Sequence, residues 1–139
     1  MGFKRILIDT NICIDAALIR KPFVTNALQI IDLSQSGKVE AFVAAHTFDT
    51  IFYVLRKKIS VQQRYALLKE FRSVFNIAAV TQEIIDRALQ LEWPDLEDAI
   101  HYEAAVAVGC DAIVTRNPRD FHEISMPVIS PEQLLAGFI

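Results

Sequence analysis

Five short apolar runs, each separated from the next by stretches of helical periodicity, constrain this chain more than any other feature. The runs are Lys4–Ile8, Val39–Ala44, Asn76–Val80, Ala112–Thr115 and Met126–Ile129. They are mostly apolar rather than alternating, as expected of strands buried on both faces. The intervening segments read as helices over Ile12–Ile19, Phe23–Ser36 and Phe48–Lys58, then Val61–Val74, a stretch from Thr81 to about Leu91, and Asp95–Gly109. Gly37 and Gly109 are helix stops, and Thr47 and Thr81 read as N-caps. Ser60-Val-Gln-Gln63 and Ser130-Pro-Glu-Gln133 have the form of capping boxes. Strands alternating with helices imply an α/β protein, a three-layer α/β/α sandwich around a mostly parallel sheet of about five strands. No repeat, linker or low-complexity segment divides residues 1–139, so one domain is expected.

With 53% hydrophobic residues the chain can bury a sizeable core. No apolar run approaches the roughly 20 residues needed to cross a bilayer, and the start lacks a signal-peptide h-region. A cytoplasmic protein that does not enter membranes is the expectation. Cys13 and Cys110 sit in apolar surroundings without C-x-x-C spacing and read as buried thiols. His46, His101 and His122 are dispersed, so no zinc site is expected. The net charge of −3 argues against a general nucleic-acid binder, but its distribution is uneven. Arg56, Lys57, Lys58, Arg64, Lys69 and Arg72 cluster against Glu70 alone, while the stretch from Glu83 to Glu103 is acidic but for Arg87. A polyanion suits the first region and cations the second; solvated helix faces explain either one equally well.

In parallel sheets ligands gather outside the carboxyl ends of the strands. Asp9 and Thr115-Arg-Asn117 end two of the strands. Asp49 and Asp98 fall in the first turns of helices that begin near the same edge, and Asp95 lies one turn before Asp98. Singly, each has a structural explanation as a cap, a turn residue or a partner of the helix dipole. Together, crowded carboxylates repel unless protonated or bridged by a cation. Mg²⁺ or Mn²⁺ suits carboxylate, amide and water oxygens and supports phosphodiester hydrolysis by a metal-activated water. No serine or cysteine nucleophile with a histidine base is evident.

Four pieces of sequence resemble the PIN-domain ribonucleases, the group that includes VapBC-type toxins. They are Ile8-Asp-Thr-Asn11, Thr47-Phe-Asp-Thr-Ile-Phe-Tyr-Val-Leu-Arg56, Asp95-Leu-Glu-Asp-Ala-Ile100 and Ala112-Ile-Val-Thr-Arg-Asn-Pro-Arg-Asp-Phe121. The resemblance implies an Mg²⁺- or Mn²⁺-dependent endoribonuclease. By the same match Asp9, Asp49, Asp98 and Asn117 are the catalytic positions, with Asp9, Asp98, Asp49 and Asp95 on the metal. Thr115, Asn11 and Asp120 support them. Asp49 stands where the family more often has glutamate, and Asn117 where many relatives have aspartate. RNA is expected along Arg56, Lys57 and Lys58, with Arg116 and Arg119 at the mouth. A small cognate antitoxin and a homodimer are implied partners; Leu18, Ile19, Phe52 and Tyr53 offer apolar area for the latter, and core packing explains them as well. The alternative is a catalytically weak module of the same fold that binds RNA or an antitoxin. A receiver-like or phosphatase domain ranks last, for want of an aspartate pair after the first strand.

Overall fold

The computed structural model describes residues 2–121 and 124–138. Its order is β1 (Arg5–Ile8), α1 (Thr10–Ala17), α2 (Val24–Gln35), β2 (Glu40–Ala44), α3 (His46–Val54), α4 (Val61–Val74) and β3 (Asn76–Ala78). There follow α5 (Gln82–Leu91), α6 (Leu96–Ala107), β4 (Ala112–Val114), β5 (Val128–Ile129) and α7 (Pro131–Ala136). All strand pairs are parallel, in the order β3-β2-β1-β4-β5. The chain thus builds outward from β1 in one direction, returns, and builds outward again in the other. β1 and β4 are neighbours at that reversal, with Ile8 opposite Val114.

Side chains alternate across the pleat, so β1 feeds both faces of the sheet. Ile6 and Ile8 join a core with Ile12, Ile30, Val43, Val114 and Leu134. Leu7 faces the other way, toward Phe42, Ala78, Ile84, Ala104 and Ile113. The expected sandwich is therefore present, with helices on both faces. No described helix is long and apolar enough to cross a membrane.

The capping boxes form as expected at Ser60–Gln63 and Ser130–Gln133, each with both reciprocal hydrogen bonds. Thr81 accepts from the Ile84 amide. Three boundaries differ from expectation. Residues 79–80 leave the ladder after Ala78, and β5 takes only Val128 and Ile129. The third helix starts at His46 behind an Ala45 that offers no side-chain cap, and tightens into a 3-10 turn at Leu55–Lys57. Thr47 is not the cap. It lies inside the helix and is buried, its hydroxyl 2.9 Å from that of Thr10.

Candidate active site at the strand reversal

Asp9 follows β1 directly and takes the N-cap position of α1 with extended backbone (φ −62°, ψ 144°). Its amide donates to Val114 O at 2.9 Å, which stitches the residue to the neighbouring strand. Its carboxylate accepts a 2.7 Å hydrogen bond from the Thr115 hydroxyl, the first side chain past β4. That hydroxyl in turn accepts from the Asn117 amide at 3.1 Å. Asp9 is only 4% exposed, so its oxygens hold a fixed direction.

The second acid arrives from α6. Asp95 caps this helix by accepting from the Asp98 amide at 3.1 Å, which places Asp98 in the first turn and aims it at the rim. Asp98 is 8% exposed. Burial, then the charges of Asp95, Asp9, Asp120 and Glu97, push its carboxyl up to about 7. Among the described residues Asp98 forms no salt bridge that would offset this crowding.

One turn further along α6, His101 is fully buried between these groups. Its Nδ1 lies 3.5 Å from Asp9 Oδ1 and its Nε2 lies 3.3 Å from the Thr10 hydroxyl. Donor atoms of Asp9, Asp98 and His101 all fall within 4.8 Å of one another. Burial holds the imidazole below its ordinary pKa, so it is neutral near pH 7. His46, at the start of α3, stacks on it with ring centroids 5.1 Å apart and planes 23° apart. His46 Nε2 lies 3.2 Å from Glu97 Oε2, and this contact is the main reason the Glu97 carboxyl is held below the usual range.

Other expected site residues fall in varied places. Asn117, Arg119 and Asp120 are exposed, and together with Arg116 and Pro118 they line a depression of about 390 Å³. Asn11 is half-buried in the first turn of α1. Asp95 is exposed and engaged as a cap.

Asp49 stands apart from the cluster. It is exposed, and its position on α3 explains why. At about 100° per residue it lies away from the buried Thr47 but within about 60° of His46, on the same side of the helix. His46 and Thr47 meet the buried part of the site from α3, and Asp49 stands at the surface one turn from His46. Arg116 is likewise not free at the mouth. Its Nε lies 2.8 Å from Asp15 Oδ2, and its guanidinium covers the Phe23 ring at 4.0 Å. Asp15, unremarked in sequence, is 1% exposed and depends on this partner. Of the basic cluster, Arg64 is buried and donates to Phe52 O, whereas Arg56, Lys57 and Lys58 are exposed.

The histidines expected to be scattered are therefore not: two of the three meet at the rim. A signal was available, because Asp98 and His101 stand three apart, and Glu97 and His101 four apart, on one helix. That spacing stacks side chains on a common face.

A parallel sheet that gathers buried carboxylates at its strand reversal defines an α/β/α protein with an acidic cleft suited to a hard cation. The family model for the PIN domain matches residues 5–119, and the chain belongs to that family. Similar solved structures include the DNA-bound VapBC complex of Salmonella typhimurium, at TM-score 0.70 and 18% identity over 92% of this chain and 98% of that one. A toxin–antitoxin complex from Klebsiella pneumoniae matches at TM-score 0.67 and 26% identity, over 90% and 96% of the two chains. VapC20 of Mycobacterium tuberculosis, a sarcin–ricin-loop-cleaving toxin, matches at TM-score 0.62 and 14% identity, over 78% and 86%. No curated protein matches the chain significantly.

Proposed function

We propose that this chain is a divalent-metal-dependent endoribonuclease acting as the toxin of a toxin–antitoxin pair. The observation that carries this is the pair Asp9 and Asp98, buried side by side with no Lys or Arg partner among the described residues. The donor chemistry fits a hard or borderline cation such as Mg²⁺ or Mn²⁺: two carboxylates, with Asn117 two residues past the Thr115 that holds Asp9. Such a cation, when bound, lowers the pKa of water and offsets charge on a phosphodiester.

This chain's own residues supply position. Thr115 holds Asp9 by a hydrogen bond that leaves its other oxygen for the cleft. Asp95 fixes the start of α6 and so the aim of Asp98. Asn117 and Asp120 border the mouth, and Arg119 offers an exposed positive charge to the substrate backbone. Arg56, Lys57 and Lys58 lie past the far end of α3, about 13 Å along the helix from the rim, where they meet a flanking stretch of RNA. A basic antitoxin side chain entering the acidic cleft would block it. The exposed Ile19 and Tyr53 offer area for a second copy of the chain.

The test is cleavage of a mixed RNA substrate by wild type and Asp98→Asn, with Mn²⁺ or with EDTA. Cleavage by wild type alone, and only with metal, is expected. Equal cleavage by both proteins refutes the reading. A second reading has one observation in its favour: Asp49 is exposed outside the donor cluster and position 117 is a neutral amide, so among the described residues two buried acids stand in the cleft. On that reading the chain binds RNA or an antitoxin without cutting. Metal binding and RNA retention with no turnover would establish it.

A further inference from the structure

His101 plays no part in the acidic site as the sequence describes it, yet it is the most enclosed polar side chain there. Its surroundings set an unusual hydrogen-bonding problem. Nε2 meets the Thr10 hydroxyl, which also meets the Thr47 hydroxyl, so a chain of two hydroxyls backs one side of the ring. Nδ1, on the other side, has no hydrogen-bond partner although it is buried. The charged atom facing it is Asp9 Oδ1, at 3.5 Å.

Two proton arrangements are open to a neutral ring. If Thr10 donates to Nε2, then Nδ1–H faces a carboxylate. A charge-assisted hydrogen bond of that kind closes to about 2.7–2.9 Å, well short of the separation present. If Nε2–H instead donates to Thr10, Nδ1 carries a bare lone pair facing a carboxylate oxygen. Two electron-rich atoms then confront each other in a buried place, at a cost that a cation between them removes. Donors around one six-coordinate ion lie about 3–4.5 Å apart, which is close to the spread of the Asp9, Asp98 and His101 donor atoms.

We infer that His101 is a nitrogen ligand of the divalent cation held by Asp9 and Asp98, and that the resulting nitrogen–oxygen donor set favours Mn²⁺ over Mg²⁺. This rests on the proposal that the cleft binds a cation at all. Imidazole suits transition metals, whereas Mg²⁺ prefers oxygen alone. The Thr10–Thr47 hydroxyl pair is then the support that keeps the proton on Nε2 and leaves Nδ1 free to coordinate.

Pulsed electron paramagnetic resonance of Mn²⁺ bound to the whole protein tests this directly, because an imidazole ligand imprints nitrogen modulation on the echo. Wild type, His101→Gln, His46→Gln and His122→Gln are compared. Nitrogen modulation in wild type, kept in the His46 and His122 variants and lost in His101→Gln, is expected. Should His101→Gln fail to fold, modulation that persists in the other two variants still identifies His101 by elimination. In parallel, titration is expected to show that His101→Gln weakens Mn²⁺ about tenfold while changing Mg²⁺ far less. Bound Mn²⁺ with no nitrogen modulation overturns the inference and leaves the proposed function standing. Modulation lost only in His46→Gln overturns it as well. A protein that binds no Mn²⁺ sinks both together.

Discussion

Replacing Asp98 by asparagine removes one charge from a buried cluster, and the consequence for stability has a definite sign. The Asp98 carboxyl is held up to about 7, against about 4 for an ordinary aspartate. The folded protein therefore holds this proton more tightly than the unfolded chain does. Between roughly pH 4 and 7 unfolding releases the proton, so metal-free stability falls as pH rises, and the loss is complete above 7. Each pH unit of displacement corresponds to about 1.4 kcal/mol, which sets an upper figure of about 4 kcal/mol. Asp95 and Asp120 contribute from exposed positions, where water and salt weaken them, and about 2 kcal/mol is the working expectation. The neutral variant avoids the penalty and preserves the backbone amide that Asp95 caps.

In EDTA at pH 8, Asp98→Asn should therefore melt about 6–8 °C above wild type, with the two coinciding near pH 4. Saturating Mn²⁺ should reverse the order, since ligand at about 100 times its dissociation constant adds about 2.7 kcal/mol to a protein that binds it. Differential scanning fluorimetry across pH, with and without metal, measures all of this. A variant that melts below wild type in EDTA at every pH would refute the view that carboxylate crowding is the site's defining stress.

Further outcomes follow from other contacts. Arg116→Ala strips the buried Asp15 of its main partner and should cost about 3–5 kcal/mol by urea unfolding, and Asp15→Asn with Arg116→Ala should recover part of it. Thr115→Val frees Asp9 from its 2.7 Å hydrogen bond and should lower metal affinity or turnover about 10–100-fold with little change in fold, read by calorimetry and RNA cleavage. Ser60→Ala breaks the capping box of α4 and should cost about 1 kcal/mol, seen as a lower melting temperature with cleavage intact.

The order of strands and helices was readable because its signals are local. Apolar runs mark β1, β2 and β4, and the side chains of Ser60, Thr81 and Ser130 bond amides only three residues on. The start of α3 was not readable, because Ala45 supplies no cap and Thr47 meets Thr10 across the crevice. That is a tertiary preference that no window of sequence displays. The site shows the same division. Asp9 and Asp98 were located by their places at a strand end and a helix start. Asp49 is legible as a first-turn residue of α3, but its exposure outside the donor cluster depends on how that helix sits against the crevice, which is a tertiary matter. His101 escaped notice because its meaning comes from Asp9 and Thr10, both remote in sequence. Arg116 looked free because Asp15 reads as an ordinary helix residue until its burial is seen.

The bond between Asp9 and Thr115 spans 106 residues, and β4 docks against the strand laid down first. The proposed cutting centre therefore cannot assemble in a leading fragment that stops short of β4. While the polypeptide is being made, its early carboxylate has no companion until α6 and β4 follow. The rim closes only when a late strand slots in beside an early one.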